Sequence, residues 1–238
     1  GKRVAGEGLH TWLERKVVLF TILTTVAILI GGLVEIVPLI LVKSNVPTIA
    51  SVKPYTPLEL EGRDIYIREG CNNCHSQMIR PFRSEVERYG EYSKAGEFVY
   101  DFPFLWGSRR TGPDVHRVGG KYNNNWHFNH MSDPRSTSPG SIMPRYSWLI
   151  QNDLNASNIE DKMEGLVKLG VPYSAEEIAG AKAQLLAQAK GIEESLRQDP
   201  EFVSNYGSSN IQNKEIVALI AYLQRLGTDI KAGNTAQK

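Results

Sequence analysis

Apolar and polar positions follow two regimes along this chain. Between residues 17 and 42 the apolar residues run almost without a break, 19 of 26, and Glu35 is the one charged side chain among them. Roughly 20 mostly apolar residues suffice to cross a bilayer as a helix, so one spanning helix is predicted over 17–42. A cleavable export signal has a shorter apolar core, about 7–15 residues, and ends in a small-residue cleavage site. This run ends instead in Pro38-Leu-Ile-Leu-Val-Lys43, so an uncleaved anchor is expected. Beyond it, the pattern turns to short amphipathic helices punctuated by Gly and Pro. Thr56-Pro57-Leu58-Glu59 joins a capping-box pair to a proline at the first helical position, and Gly70 supplies a stop. Ser157 with Glu160, and Ser174 with Glu177, repeat the capping-box spacing, and Ile216 to Leu223 forms an apolar C-terminal helix. The fold class that results is mainly α.

Charge refines the division. The 238 residues carry 27 basic and 26 acidic side chains, a net charge of +1 and a pI near 7.9, which excludes an ordinary nucleic-acid-binding domain. Lys2, Arg3, Arg15 and Lys16 precede the span, whereas Lys43 and Lys53 follow it. The positive-inside tendency puts the N-terminus in the cytoplasm and everything after the span outside it. Trp12 and Tyr55 flank the span as interfacial aromatics. An ionisable residue in a span is a functional candidate, but Glu35 sits near Pro38 and the end of the run. It reads as a partner for a neighbouring helix or for the interface rather than as a proton relay. The expected organisation is 1–16 cytoplasmic, 17–42 anchor, 43–55 linker, 56–227 folded domain and 228–238 tail.

The chain has two cysteines, Cys71 and Cys74, and His75 follows at once. C-x-x-C-H is the pattern of covalent c-type haem attachment. Two thiols three positions apart can each form a thioether to one of the two vinyl groups of a haem, and the adjacent imidazole then faces the iron. Competing readings fit less well. A structural zinc site needs two further ligands at suitable spacing, a disulfide here would close too small a loop to stabilise much, and a thioredoxin-like pair belongs after a strand rather than a helix.

The iron's sixth ligand must come from farther along, and a His/Met pair suits electron transfer by raising the potential. Met78 is three residues beyond His75 and cannot reach the opposite haem face. Met163 falls in a helical pattern and reads as core, and Met131 follows His127 and His130 in a short helix. Met143 stands in Pro139-Gly-Ser-Ile-Met143-Pro144, where Gly and two prolines forbid regular structure and favour a strap. Met143 is therefore the expected ligand. His127 and His130, three apart, could share a metal or replace Met143, but they read better as polar helix residues near haem propionates or a partner surface. His116 and His10 have no context that separates them from surface histidines.

These residues resemble a known family. Gly62 and Tyr66, C-N-N-C-H, Thr111-Gly-Pro-Asp-Val115, Met143-Pro144 and the C-terminal helix are similar to class I cytochrome c. The resemblance implies that the Pro113 carbonyl accepts a hydrogen bond from His75, and that the first and last helices of the domain cross near Gly62 and Tyr222. Gly31-Gly-Leu-Val-Glu-Ile-Val-Pro-Leu39, Arg80-Pro-Phe-Arg83, Arg88-Tyr-Gly-Glu-Tyr-Ser93, Pro103-Phe-Leu-Trp-Gly-Ser108 and Ser141-Ile-Met-Pro-Arg-Tyr146 narrow the match. They resemble the membrane-anchored mono-haem cytochrome c subunit, subunit II, of cbb3-type, C-family haem-copper cytochrome c oxidases. Two departures stand out: Glu35 replaces an expected neutral polar residue, and 175–210 looks like a variable helical insertion.

The resemblance implies one covalent haem c, a bacterial cytoplasmic membrane location with the haem domain on the periplasmic side, and several partners. These are a haem-copper catalytic membrane subunit that reduces oxygen to water, a di-haem cytochrome c subunit, a cytochrome c donor and membrane lipid. Ser108 is implied as a calcium ligand at a subunit interface. The chain itself then catalyses no bond chemistry. The inserted loop 76–110 is long for a compact electron shuttle and shows no evident structure of its own, which points to function. Its Arg80, Arg83, Arg109 and Arg110 with Phe82, Phe102, Phe104 and Trp106 form either a docking surface or ordinary packing over the haem edge. Two other readings stay open: the mono-haem anchored subunit of a nitric oxide reductase, and a free-standing anchored cytochrome.

Overall fold

A computed structural model of the chain describes residues 8–42, 47–107 and 109–235. Two compact units emerge, Gly1–Pro47 and Thr48–Lys238. The first holds α1 (Leu9–Glu14) and α2 (Val17–Leu41). The stretch Val17–Leu39 within α2 is long and apolar enough to cross a membrane, and none of it is covered by protein. The helix continues past Pro38, and the Pro38 carbonyl accepts from the Val42 N–H at 2.9 Å. Glu35 is exposed on it.

The second unit is helical, and among the described residues the only β pairing is an isolated bridge between Asp153 and Lys214. Its helices are α3 (Pro57–Arg68), α4 (Cys71–Cys74), α5 (Arg83–Tyr89), α6 (Asn124–Ser132), α7 (Pro134–Thr137), α8 (Trp148–Gln151), α9 (Ile159–Lys168), α10 (Ala175–Ala179), α11 (Ala181–Leu196), α12 (Pro200–Tyr206), α13 (Glu215–Arg225) and α14 (Thr228–Thr235). The mainly α fold class expected from the pattern is what the chain adopts.

The principal packing is α3 against α13. Thr56 caps α3 in a full capping box with Glu59, and Pro57 occupies the first turn. Leu58, Ile65 and Tyr66 of α3 meet Ile216, Leu219, Ile220 and Tyr222 of α13 in the core. At the crossing, a Cβ added to Gly62 would overlap the Ala218 carbonyl, so only glycine permits this approach.

Several expectations shift. Ser174 caps α10 in a capping box with Glu177, but α9 starts from Asn158 with no side-chain cap, so the Ser157–Glu160 pair does not form one. Tyr55 is not an interfacial aromatic. Its ring packs 5.7 Å from that of Tyr222, and its carbonyl accepts from the Tyr173 hydroxyl at 2.7 Å. The loop 76–110 is not structureless, since it holds α5 and a 3-10 turn, Ala95–Phe98. Arg63 of α3 pins its far end by donating to the carbonyls of Phe102 and Pro103. The stretch 175–210, expected as a variable helical insertion, packs into the core: Ala181, Leu185, Ala189 and Leu196 are buried, and Gln188 accepts from the Thr56 hydroxyl at 2.7 Å.

Candidate functional site

Gly70, with φ of 70°, ends α3 in the left-handed conformation that glycine adopts without strain, and the next residue opens α4. The turn is short because α4 spans only Cys71 to Cys74, closed by the His75 N–H donating to the Cys71 carbonyl at 2.9 Å. Cys71 is half-buried, Cys74 is exposed, and both thiols are free. Burial, helped by the negative charge of Glu69, pushes the Cys71 thiol up to about 12. It is protonated at neutral pH, which disfavours a resting thiolate for metal binding or disulfide exchange. Among the described residues, no group of three or more His, Cys, Asp or Glu converges as for a metal ion.

The ring of His75 is held from the opposite strand of chain. Its Nδ1–H donates to the Pro113 carbonyl at 2.8 Å. A carbonyl can only accept, so Nδ1 carries the proton and Nε2 is left with its lone pair. Gly112 lies flat against the ring, where a Cβ would collide with the imidazole. Backbone bonds set the register: Gly112 N–H donates to the Cys74 carbonyl and Val115 N–H to the Ser76 carbonyl, each at 2.9 Å.

Cys74, His75 and Pro113 open onto a cavity of about 690 Å³ with mostly apolar walls. Val115, Val118 and Leu223 line it, and Met143 and Pro144 border it from the Pro139–Pro144 segment. The segment itself is irregular, as its glycine and prolines require. Its end is anchored by the Tyr146 N–H donating to the Met131 carbonyl at 2.8 Å. A second wall is a parallel stack of Tyr122 on Trp126 at 3.9 Å and Trp126 on His130 at 4.6 Å. His127 is buried behind it with Nε2 unpartnered, and burial lowers its pKa to about 4. His130 places Nδ1 2.6 Å from the Thr137 hydroxyl.

The structure therefore brings Cys74, His75, Pro113 and Met143 around one cavity, while Cys71, one turn before Cys74, packs against the core and does not line it. Met131 lines the same cavity, while Met163 is buried in the core. Ser108 lies outside the described residues. His116 is not a surface histidine. It is buried, stacked on Phe98 at 4.6 Å, and its pKa is lowered to about 3 by burial and by Arg117. Arg110 faces inward rather than outward: it donates to Ser76, Glu85 and the Met78 carbonyl, and its only local sequence signal was one more arginine in a basic loop.

A volume of this size with apolar walls and few polar groups is the form of a cofactor pocket. The residues present fit a haem, because an imidazole with Nε2 free, the Cys74 thiol and a thioether line it, and Cys71 stands one turn before Cys74 on the same short helix. No curated protein matches the chain. The family model described as cytochrome c oxidase, mono-haem subunit (FixO), matches residues 10–230. A match over nearly the whole chain, on a helical domain whose C-x-x-C-H segment faces an apolar cavity, places this protein in the FixO family of mono-haem cytochrome c oxidase subunits.

Proposed function

We propose that the chain binds one haem c covalently through Cys71 and Cys74, with His75 and Met143 as axial ligands, and serves a cbb3-type oxidase as its membrane-anchored electron-transfer subunit. The observation that carries this is that His75, its Nδ1–H spent on Pro113, lines one mostly apolar cavity together with Met143 and Cys74. When bound, the haem supplies one-electron exchange at its iron. The protein's share is placement: Pro113 fixes the imidazole tautomer and makes Nε2 a better donor. Apolar walls keep water from the cofactor, and a thioether at Met143 favours the reduced state.

Electrons would come from a cytochrome c donor or a di-haem subunit and leave for a haem-copper catalytic subunit that reduces oxygen to water. The helix Val17–Leu39 would tether the domain to the bacterial cytoplasmic membrane, with the haem on the periplasmic side. Phe82, Phe102, Phe104 and Trp106 remain exposed in the domain, which supports the docking reading of the 76–110 loop. The test is purification of the full chain from native membranes. Haem that stays on the polypeptide in a denaturing gel, together with a copurifying haem-copper subunit and oxygen consumption, is expected. A chain free of covalent haem, or a complex that reduces nitric oxide instead, overturns the proposal.

A further inference from the structure

Arg110 lies outside the cavity, yet it occupies the middle of the densest polar cluster beside His75. Its Nε donates to Ser76 Oγ at 2.7 Å and Nη2 to the Met78 carbonyl at 2.8 Å, while the same guanidinium pairs with Glu85 at 2.6 and 2.7 Å. Asp114 closes the cluster from the other side. It is buried, and it accepts from Ser76 Oγ at 2.6 Å, from the Met78 N–H at 2.8 Å and from the His116 N–H at 2.9 Å. Ser76 directly follows His75, and Asp114 directly follows Pro113. The cluster thus ties together the two residues that flank the His75–Pro113 hydrogen bond, while the Arg110 guanidinium rests 5.2 Å over the Tyr89 ring. Glu85 also accepts from the Arg80 N–H at 3.0 Å, so the base of the cluster is fixed to the chain on both sides.

We infer that Arg110 is a positioning residue for the axial imidazole: through Ser76 and Asp114 it holds the Pro113 carbonyl in register with His75 Nδ1, and so tunes the iron. A charge-assisted fork of this kind fixes geometry in a way an ammonium group cannot. A hydrogen bond to the outer nitrogen of a ligating imidazole raises its donor strength. Loosening the register weakens that donation and destabilises the ferric form, so the potential rises. This rests on the haem assignment proposed above.

Two substitutions leave the net charge unchanged and so separate register from charge. Arg110→Lys removes the fork, and Ser76→Ala removes the hydroxyl that both Arg110 and Asp114 hold. Each is made in the full chain, purified in detergent. Covalent haem on a denaturing gel in the parent protein tests the underlying assignment by itself, and its absence overturns both readings. With haem present, the readouts are the midpoint potential and the solvent exchange of the His75 Nδ1 proton in the ferrous protein by NMR. Both variants are expected to raise the potential and to speed that exchange about tenfold, the scale of one lost hydrogen bond. A lowered thermal midpoint with potential and exchange unchanged would make Arg110 a staple for the inserted loop and sink the inference. If Arg110→Lys does not fold, Ser76→Ala alone decides it by the same two readouts.

Discussion

A single methyl group at Gly112 has nowhere to go except into the His75 imidazole, whose ring atoms crowd that position. The ring cannot yield without leaving the Pro113 carbonyl, so Gly112→Ala is expected to lower stability by about 1–3 kcal/mol, the usual cost of overpacking. If His75 holds a haem as proposed, the substitution should also disturb the visible spectrum, and urea unfolding with absorbance spectroscopy reads both effects. Elsewhere in the cavity lining, and on the proposed assignment, Met143→Ala should keep the covalent haem but alter axial ligation and lower the potential, since a thioether ligand raises it. Potentiometric titration checks this, and an unchanged spectrum would move the ligand to Met131, which lines the same cavity. At this scale the sequence was legible where chemistry is local. Cys71, Cys74 and His75 declare themselves by spacing. Arg110 and His116 do not, because their partners Glu85 and Phe98 lie 25 and 18 positions away and nothing nearby marks either side chain as buried.

Among the helices, the contact of α3 with α13 sets how the domain closes, and at Gly62 the facing backbone leaves no room for a side chain. Glycine within a helix ordinarily costs about 0.5–1 kcal/mol relative to alanine, so Gly62→Ala would stabilise an isolated α3. In the domain the added Cβ meets the Ala218 carbonyl and Tyr222 Cβ, both fixed by packing. The clash outweighs the propensity gain, and a net loss of about 1–3 kcal/mol is expected. Chemical denaturation of the full chain in detergent measures it, and equal or greater stability for the variant would show that the helices can slide apart at no cost. The crossing near Gly62 and Tyr222 was implied by the resemblance to class I cytochrome c, but nothing in the sequence implied the role of α11. Its buried positions are Ala181, Leu185, Ala189, Glu193 and Leu196, a stripe at helical spacing. Three of the five are alanine or glutamate, so the face looks polar and small. Glu193 is buried only because Arg197 and the Gln212 N–H satisfy it.

For the molecule as a whole, acid is the condition under which these buried groups act together. His116 is enclosed by Phe98, by the Ser93 hydroxyl 2.6 Å from Nδ1, by Arg117, and by Glu97 3.6 Å from Nε2. Burial and the neighbouring guanidinium keep it neutral down to about pH 3, while in the unfolded chain it takes up a proton near 6.5. Between those values the unfolded state binds more protons, so stability falls as pH falls through that window. Glu85, lowered to about 2 chiefly by Arg110, adds a second loss between about 4.5 and 2. Glu59, Glu61 and Asp101 work in the opposite sense, because burial raises their pKa and their protonation favours the folded state. In the interval from about 6.5 down to 5 His116 acts together with His127, lowered to about 4, and His130, also lowered by burial, so the share that belongs to His116 is the difference in slope between the parent and a His116 variant. There the parent chain is expected to lose stability steadily. His116→Gln, weaker at neutral pH because it forfeits the Phe98 stack, should follow a shallower slope and converge toward the parent. Urea midpoints taken at half-unit steps of pH distinguish the two lines, and parallel lines would mean that the acid sensitivity originates elsewhere in the fold.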